Sequence, residues 1–179
     1  MVKMHLISVL LLCLFSTPIS SRAAPSHPPP SPSPPFTSTP AFTASLYLDA
    51  RSNPVHLPNA GSLITEVITN GTVSGPLINA TIQGGFAHPT IFVDQSEKGN
   101  VTVQAPVIDM YGKTEDGEDW YLHAEGSGAT TGQVARIVFD VSGKKYAPLR
   151  DGFILAKITP NKQVTEVVVE GFLFSNPNA

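Results

Sequence analysis

The chain has 179 residues, with 11 Lys and Arg against 14 Asp and Glu and a formal charge of −3. That length supplies one hydrophobic core, and the charge argues against nucleic acid or an anionic membrane surface as partners, because both select clustered basic residues. Cys13 is the single cysteine, which excludes disulfides and cysteine-metal sites.

Met1 to Ala23 carries Lys3, an apolar run from Leu6 to Phe15, and small residues Ser21 and Ala23 at a cleavage position. The pattern predicts a secretory signal peptide over 1–23; a membrane-spanning helix needs about twenty apolar residues, roughly twice this run. Cleavage removes Cys13 together with Lys3 and Arg22, leaving nine basic residues against fourteen acidic ones, a charge of −5. The expected location is the secretory pathway, with the product secreted or extracellular. Asn70, Asn79 and Asn100 head Asn-x-Thr triplets and are the expected N-glycosylation sites, whereas Pro54 disqualifies Asn53. Asn79 is read as mid-strand, where such a triplet also arises by chance.

From Pro25 to Pro40 the chain is almost entirely Pro, Ser and Thr. It buries nothing and is expected to be an extended linker over 24–42, ahead of a single domain at 43–176. Within that domain, runs rich in Val, Ile, Thr, Tyr and Phe predict strands near Ala44–Asp49, Leu63–Thr69, Leu77–Gln83, Thr90–Val93, Val101–Tyr111, Trp120–Glu125, Val134–Val141, Phe153–Ile158 and Val164–Phe174. Asp116-Gly117, Ser142-Gly143 and Asp151-Gly152 supply turns between them. Gly71, Gly75 and the pair Gly84-Gly85 mark sharp corners. With no convincing amphipathic helix, the expected fold is all-β: one closed antiparallel barrel of about eight to nine strands, with a sandwich as the competing arrangement.

Gly71-x-Val73-x-Gly75-Pro76, Gly84-Gly85, Tyr111, Asp116-Gly117 and an aromatic strand ending at Gly126 resemble small β-barrel proteins of unknown function from bacteria and fungi, with a lipocalin-like or allene-oxide-cyclase-like sheet. Signal-bearing fungal members look like hetero-Diels–Alderases of tropolone–sesquiterpene biosynthesis. The resemblance implies a cofactor-free cyclase of secondary metabolism, coupling a quinone-methide-like heterodiene to an apolar alkene such as a sesquiterpene.

The residues themselves offer several donors. His88, between Gly84-Gly85 and Pro89, stands at a corner and is either a proton donor or a surface histidine. Tyr121, His123 and Glu125 share one side of their strand: facing inward they form an acid/base site, and facing outward, with Trp120, Leu122 and Ala124 inside, they form a solvated face. Phe86, Tyr111, Trp120 and Phe172, with Arg136 and Glu125, are the candidate lining of an apolar chamber. The sequence carries no three-ligand metal set, phosphate loop or nucleophile elbow, so no cofactor is expected. An apolar small molecule is the expected partner, and assembly, a homodimer included, is left open. Two non-catalytic readings stand beside the cyclase: an extracellular carrier of an apolar molecule, and a cell-surface interaction protein.

Overall fold

Short runs of β-branched and aromatic residues pair as antiparallel strands throughout the computed structural model, which describes residues 36–49, 51–58, 61–96 and 99–175. The expected signal peptide and most of the proline-rich linker lie outside the described residues. The strands are β1 (Thr37–Leu48), β2 (Val55–Leu57), β3 (Gly61–Leu63), β4 (Glu66–Ser74), β5 (Ala80–Ala87), β6 (Thr90–Ser96), β7 (Gly99–Ala105), β8 (Val107–Thr114), β9 (Asp119–Ala129), β10 (Gly132–Val141), β11 (Phe153–Pro160) and β12 (Glu166–Ser175). Eight close a barrel in the order β1-β4-β5-β8-β9-β10-β11-β12, with β12 returning to β1. The other four form an extension, β7-β6-β3-β2, attached to the end of β9 through Val103↔Ala129 and Gln104↔Gly128.

Strand limits differ from expectation where backbone partners decide. β1 starts at Thr37 rather than Ala44 because β12 supplies partners as far as Ser175, and Pro40, with no N–H to give, sits beside a register shift. The single strand expected over Val101–Tyr111 breaks at Pro106, so β7 leaves for the extension while β8 stays in the barrel. Ser142-Gly143 and Asp151-Gly152 do not make simple turns: between them lie a 3-10 turn, Lys144–Tyr146, and α1 (Ala147–Arg150), whose Tyr146 and Leu149 plug that end of the barrel. Asn79 precedes β5 in an exposed connection instead of lying mid-strand, and Asn70 is exposed on β4.

One side of each barrel strand points inward and fills the interior: Leu46, Ile68, Ile82, Met110, Leu122, Ile137, Phe139, Ile154 and Val169 are all buried. Each such side chain contributes roughly 1.5–3 kcal/mol by leaving water. Phe139 stacks on Trp120 at 5.4 Å and meets the edge of Phe42 at 5.8 Å. Gly71 is required by close approach, since a Cβ there would overlap the Ser45 carbonyl on β1. The expected hollow, aromatic-lined chamber is therefore corrected. Phe86, Tyr111 and Phe153 stand outside, Trp120 and Phe139 are packed into the core, and the space lined by core residues at the end away from α1 is about 30 Å³.

The β8–β9 hairpin is clamped to this plug. Asp116 at its tip accepts hydrogen bonds from the Thr114 hydroxyl at 2.7 Å and the Tyr146 hydroxyl at 2.5 Å, and pairs with Lys145 at 2.7 Å. The bonds from Lys145, Tyr146 and Thr114 hold its carboxyl far below the usual carboxylate range. A depressed carboxyl contributes stability above its ordinary value of 3.8 and loses it as pH falls below that point. Asp116→Asn is expected to lower the neutral-pH melting temperature and to flatten the loss of stability below about pH 4, as followed by thermal melts across pH.

Candidate functional site on the outer face of the barrel

The β8–β9 register pairs Asp109 with His123, Tyr111 with Tyr121 and Val107 with Glu125. On β9, Trp120, Leu122 and Ala124 are buried inside, so Tyr121, His123 and Glu125 face outward. The inward-facing acid/base trio is thereby ruled out. The outward trio is nonetheless an ordered polar cluster, because Asp109 projects from the neighbouring strand into its midst.

Asp109 Oδ1 accepts hydrogen bonds from the Tyr121 hydroxyl and from His123 Nδ1, the latter at 2.8 Å. The other ring nitrogen of His123, Nε2, lies 3.2 Å from Glu125 Oε1. Asp109 and His123 side chains keep only 32% and 31% of their exposure, which places the pair at the edge of water rather than in it. The hydrogen bond to Asp109 leads in raising the His123 pKa above its ordinary 6.5; burial opposes it, and Glu125 adds to it. Burial pushes the Asp109 carboxyl up, but the bonds from Tyr121 and His123, with the charges of His123 and His88, outweigh it and leave the carboxyl below its ordinary range. The same bond pushes the Tyr121 phenol up to about 12, helped by burial and by the charges of Asp109 and Asp140. The arrangement thus favours the charged form of His123 beside an ionised Asp109, with Nδ1–H of the ring donating to the carboxylate.

Aromatic side chains flank the cluster. Phe86 on β5 is the cross-strand neighbour of Asp109 and is 49% exposed. The His88 ring stacks on Phe86 at 6.0 Å and 19°, while its backbone N–H donates to the Val107 carbonyl at 2.7 Å. Tyr111, 52% exposed, lies over Gly84, where a Cβ would stand 2.9 Å from its hydroxyl. On the other flank Val138 of β10 pairs with His123.

Of the residues singled out from sequence, Phe86, His88, Tyr111, Tyr121, His123 and Glu125 come together on this face. Trp120 does not: it is 3% exposed in the core, with its indole N–H lacking a partner. Arg136 faces outward beside Glu125 but sits over the Phe153 ring at 5.7 Å. Phe172 belongs to β12, separated from β9 by β10 and β11. Asp109 was not among the candidates. Counting back along both strands from the Asp116-Gly117 turn pairs Tyr111 with Tyr121 and then Asp109 with His123, and that signal was available. Among the described residues no group of three or more His, Asp and Glu side chains is placed to hold a metal ion.

The fold and this site define a closed eight-stranded antiparallel barrel with an outward-facing acid/base cluster. No protein-family model matches the chain, and no curated protein matches it. Solved structures do. A conserved protein of unknown function from Rhodopseudomonas palustris is 14% identical, with 80% of this chain and 100% of that one aligned at a TM-score of 0.67. A β-barrel-like protein from Acinetobacter baumannii is 20% identical over 80% and 99% of the two chains, at a TM-score of 0.63. An enzyme from Penicillium herquei is 21% identical over 81% and 98%, at a TM-score of 0.55. At these identities the likeness is one of fold.

The cluster's geometry makes a spectroscopic prediction. In a pH titration of tyrosine absorbance, one phenol ionises near 12 in the wild type, and Asp109→Asn returns it towards the ordinary 10.0. A variant spectrum identical to the wild type would mean that Tyr121 does not donate to Asp109.

Proposed function

We propose that the chain is a cofactor-free cyclase whose acid/base group is the Asp109–Tyr121–His123 cluster on the outer face of the barrel. The observation that carries this reading is His123, held by Asp109 and raised in pKa, on the same face as exposed Phe86 and Tyr111. A donor beside apolar aromatic surface suits a planar, carbonyl-bearing reactant that stacks on the rings and offers its oxygen to the imidazolium. The likeness in fold to a barrel described as an enzyme supports catalysis of some kind.

The reaction class is the hetero-Diels–Alder coupling of a quinone-methide-like heterodiene to an apolar alkene such as a sesquiterpene. One C–C and one C–O bond form, no atom leaves, and no electrons are exchanged with a third party. His123 polarises the heterodiene carbonyl through Nε2–H, which the carbonyl takes over from Glu125; Asp109 orients the imidazole and favours its charged form, and Phe86 and Tyr111 align the reactants. Holding two reactants in an attack pose supplies up to roughly 7–11 kcal/mol of the barrier, and a positioned acid a further 10²–10⁴-fold or so. The packed interior favours the outer face over the barrel chamber as the place where two reactants of this size meet.

A second reading rests on that same filled interior together with the exposed Phe86, Tyr111 and Val138: an extracellular interaction protein that turns nothing over. Product analysis with a generated ortho-quinone methide and a sesquiterpene alkene separates the two. The cyclase reading expects added protein to raise yield or fix stereochemistry, and His123→Asn or Asp109→Asn to cut that effect by roughly 10²-fold or more. No effect of the wild-type protein, or an effect that both variants retain, contradicts the reading and leaves the interaction protein.

A further inference from the structure

At the barrel end away from α1, a space of about 30 Å³ is bordered by Leu46, Glu66, Ile108, Gln133, Val164 and Val167, among others. Two of these are polar side chains withdrawn from water, with Glu66 at 4% and Gln133 at 2% exposure. Glu66 meets Arg51 Nε at 2.5 Å, and Gln133 Nε2 donates to the Ala129 carbonyl at 2.7 Å. Burial pushes the Glu66 carboxyl up, and the charge and hydrogen bond of Arg51 oppose that only in part. Polar groups are costly in a barrel that is otherwise packed with aliphatic residues, and both of these border the same void.

The rim holds a second anomaly. Val164 lies in the turn between β11 and β12 with φ at 53°, the one non-glycine at positive φ among the described residues. Its N–H donates to the Asn161 carbonyl at 3.1 Å, Asn161 N–H donates to the Glu166 carbonyl at 2.9 Å, and the Asn161 side-chain oxygen accepts from Thr165 N–H at 3.0 Å. This is a hairpin turn closed by a left-handed residue, a place that glycine or asparagine fills without strain and a β-branched residue does not. The valine side chain packs against the core and borders the void. A local rule is broken where a β-branched residue on a left-handed turn lines a space that also meets two buried polar side chains, and strain of this kind concentrates at ligand sites.

We propose that this void is the closed form of a binding site for a small amphipathic molecule, a hydroxyl head on a short hydrocarbon body, with the Val164 side chain as its removable plug. A hydroxyl donates and accepts at once, matching the Glu66 carboxyl and the Gln133 amide, while Leu46, Ile108, Ile158 and Val167 receive the hydrocarbon. At about 30 Å³ the space takes water and nothing larger, so a ligand requires the lining to move, and Val164, on the strained turn, is the side chain that yields. Moving Val164 out of the left-handed region releases its strain, which offsets part of the opening cost. The site lies behind the wall that carries the outer cluster: Ile108 points in where Asp109 points out. It does not depend on the cyclase reading.

The test uses 1-hexanol and hexane as probes, with amide NMR shifts on the full barrel. Val164→Gly keeps the turn and removes the plug; saturable 1-hexanol binding is expected to tighten at least about tenfold over wild type, as for a site freed from a mostly closed state. The shifts should centre on Ile108, Ile158 and Val167. Gln133→Leu in that background should weaken 1-hexanol roughly tenfold and leave hexane unchanged, the signature of a lost head-group bond. Val164→Asn, whose residue also tolerates the left-handed conformation, serves if the glycine variant does not fold. Absence of saturable binding in the folded variant, or shifts centred on Phe86 and Tyr111, overturns the proposal.

Discussion

The Asp109–His123 pair exists in one register of the β8–β9 hairpin and no other. A slip of a single residue would turn Leu122 and Ala124 to solvent and bury Tyr121, His123 and Glu125, so core and site are fixed by the same choice. The Asp116 clamp holds that choice at the hairpin tip, tying the turn to the Tyr146 plug. β10 holds it from the other side by pairing Val138 with His123 and Arg136 with Glu125. Burying the even-numbered side chains of β9 is thus what presents the odd-numbered ones as a polar cluster.

Filling the barrel moves the functional question to its surface and its ends. Trp120, Phe139 and Phe42 occupy the volume near the plug, and the residual space at the opposite end is sized for water. What the outer face offers instead is a histidine whose pKa is raised by a neighbouring carboxylate, with Phe86 and Tyr111 on one flank and Val138 on the other. Such a site works at the edge of water, where electrostatic stabilisation is weaker than in a closed cavity. On the proposed reading, alignment by Phe86 and Tyr111 therefore carries more of the effect than the field of His123.

Alternation carried most of what was legible in the sequence. The β9 run alternates so regularly that the strand and its two faces were readable, and only the choice of inward face needed the structure. The Gly84-Gly85 pair announced a corner, but not that Gly84 makes room for Tyr111 to lie flat. Pro106 was a visible breaker inside an apparently continuous strand, and giving it that weight would have separated β7 from β8. Asp109 escaped notice because one acid in an apolar alternating run resembles a solvated position until its cross-strand partner is assigned. Aromatic residues misled in a consistent way: Trp120 and Phe139 are core, while Phe86, Tyr111 and Phe153 are surface, and residue type alone does not distinguish them. Val164 gave no local sign, since its left-handed conformation arises from the hairpin it closes.

The account stands on Asp109 holding the His123 ring and raising its pKa. The direct measurement is the side-chain NMR titration of His123 in the wild type and in Asp109→Asn. The account predicts a midpoint above the ordinary 6.5 in the wild type, with a fall towards or below 6.5 in the variant. A wild-type midpoint at or below the ordinary value, unmoved by the substitution, would contradict it.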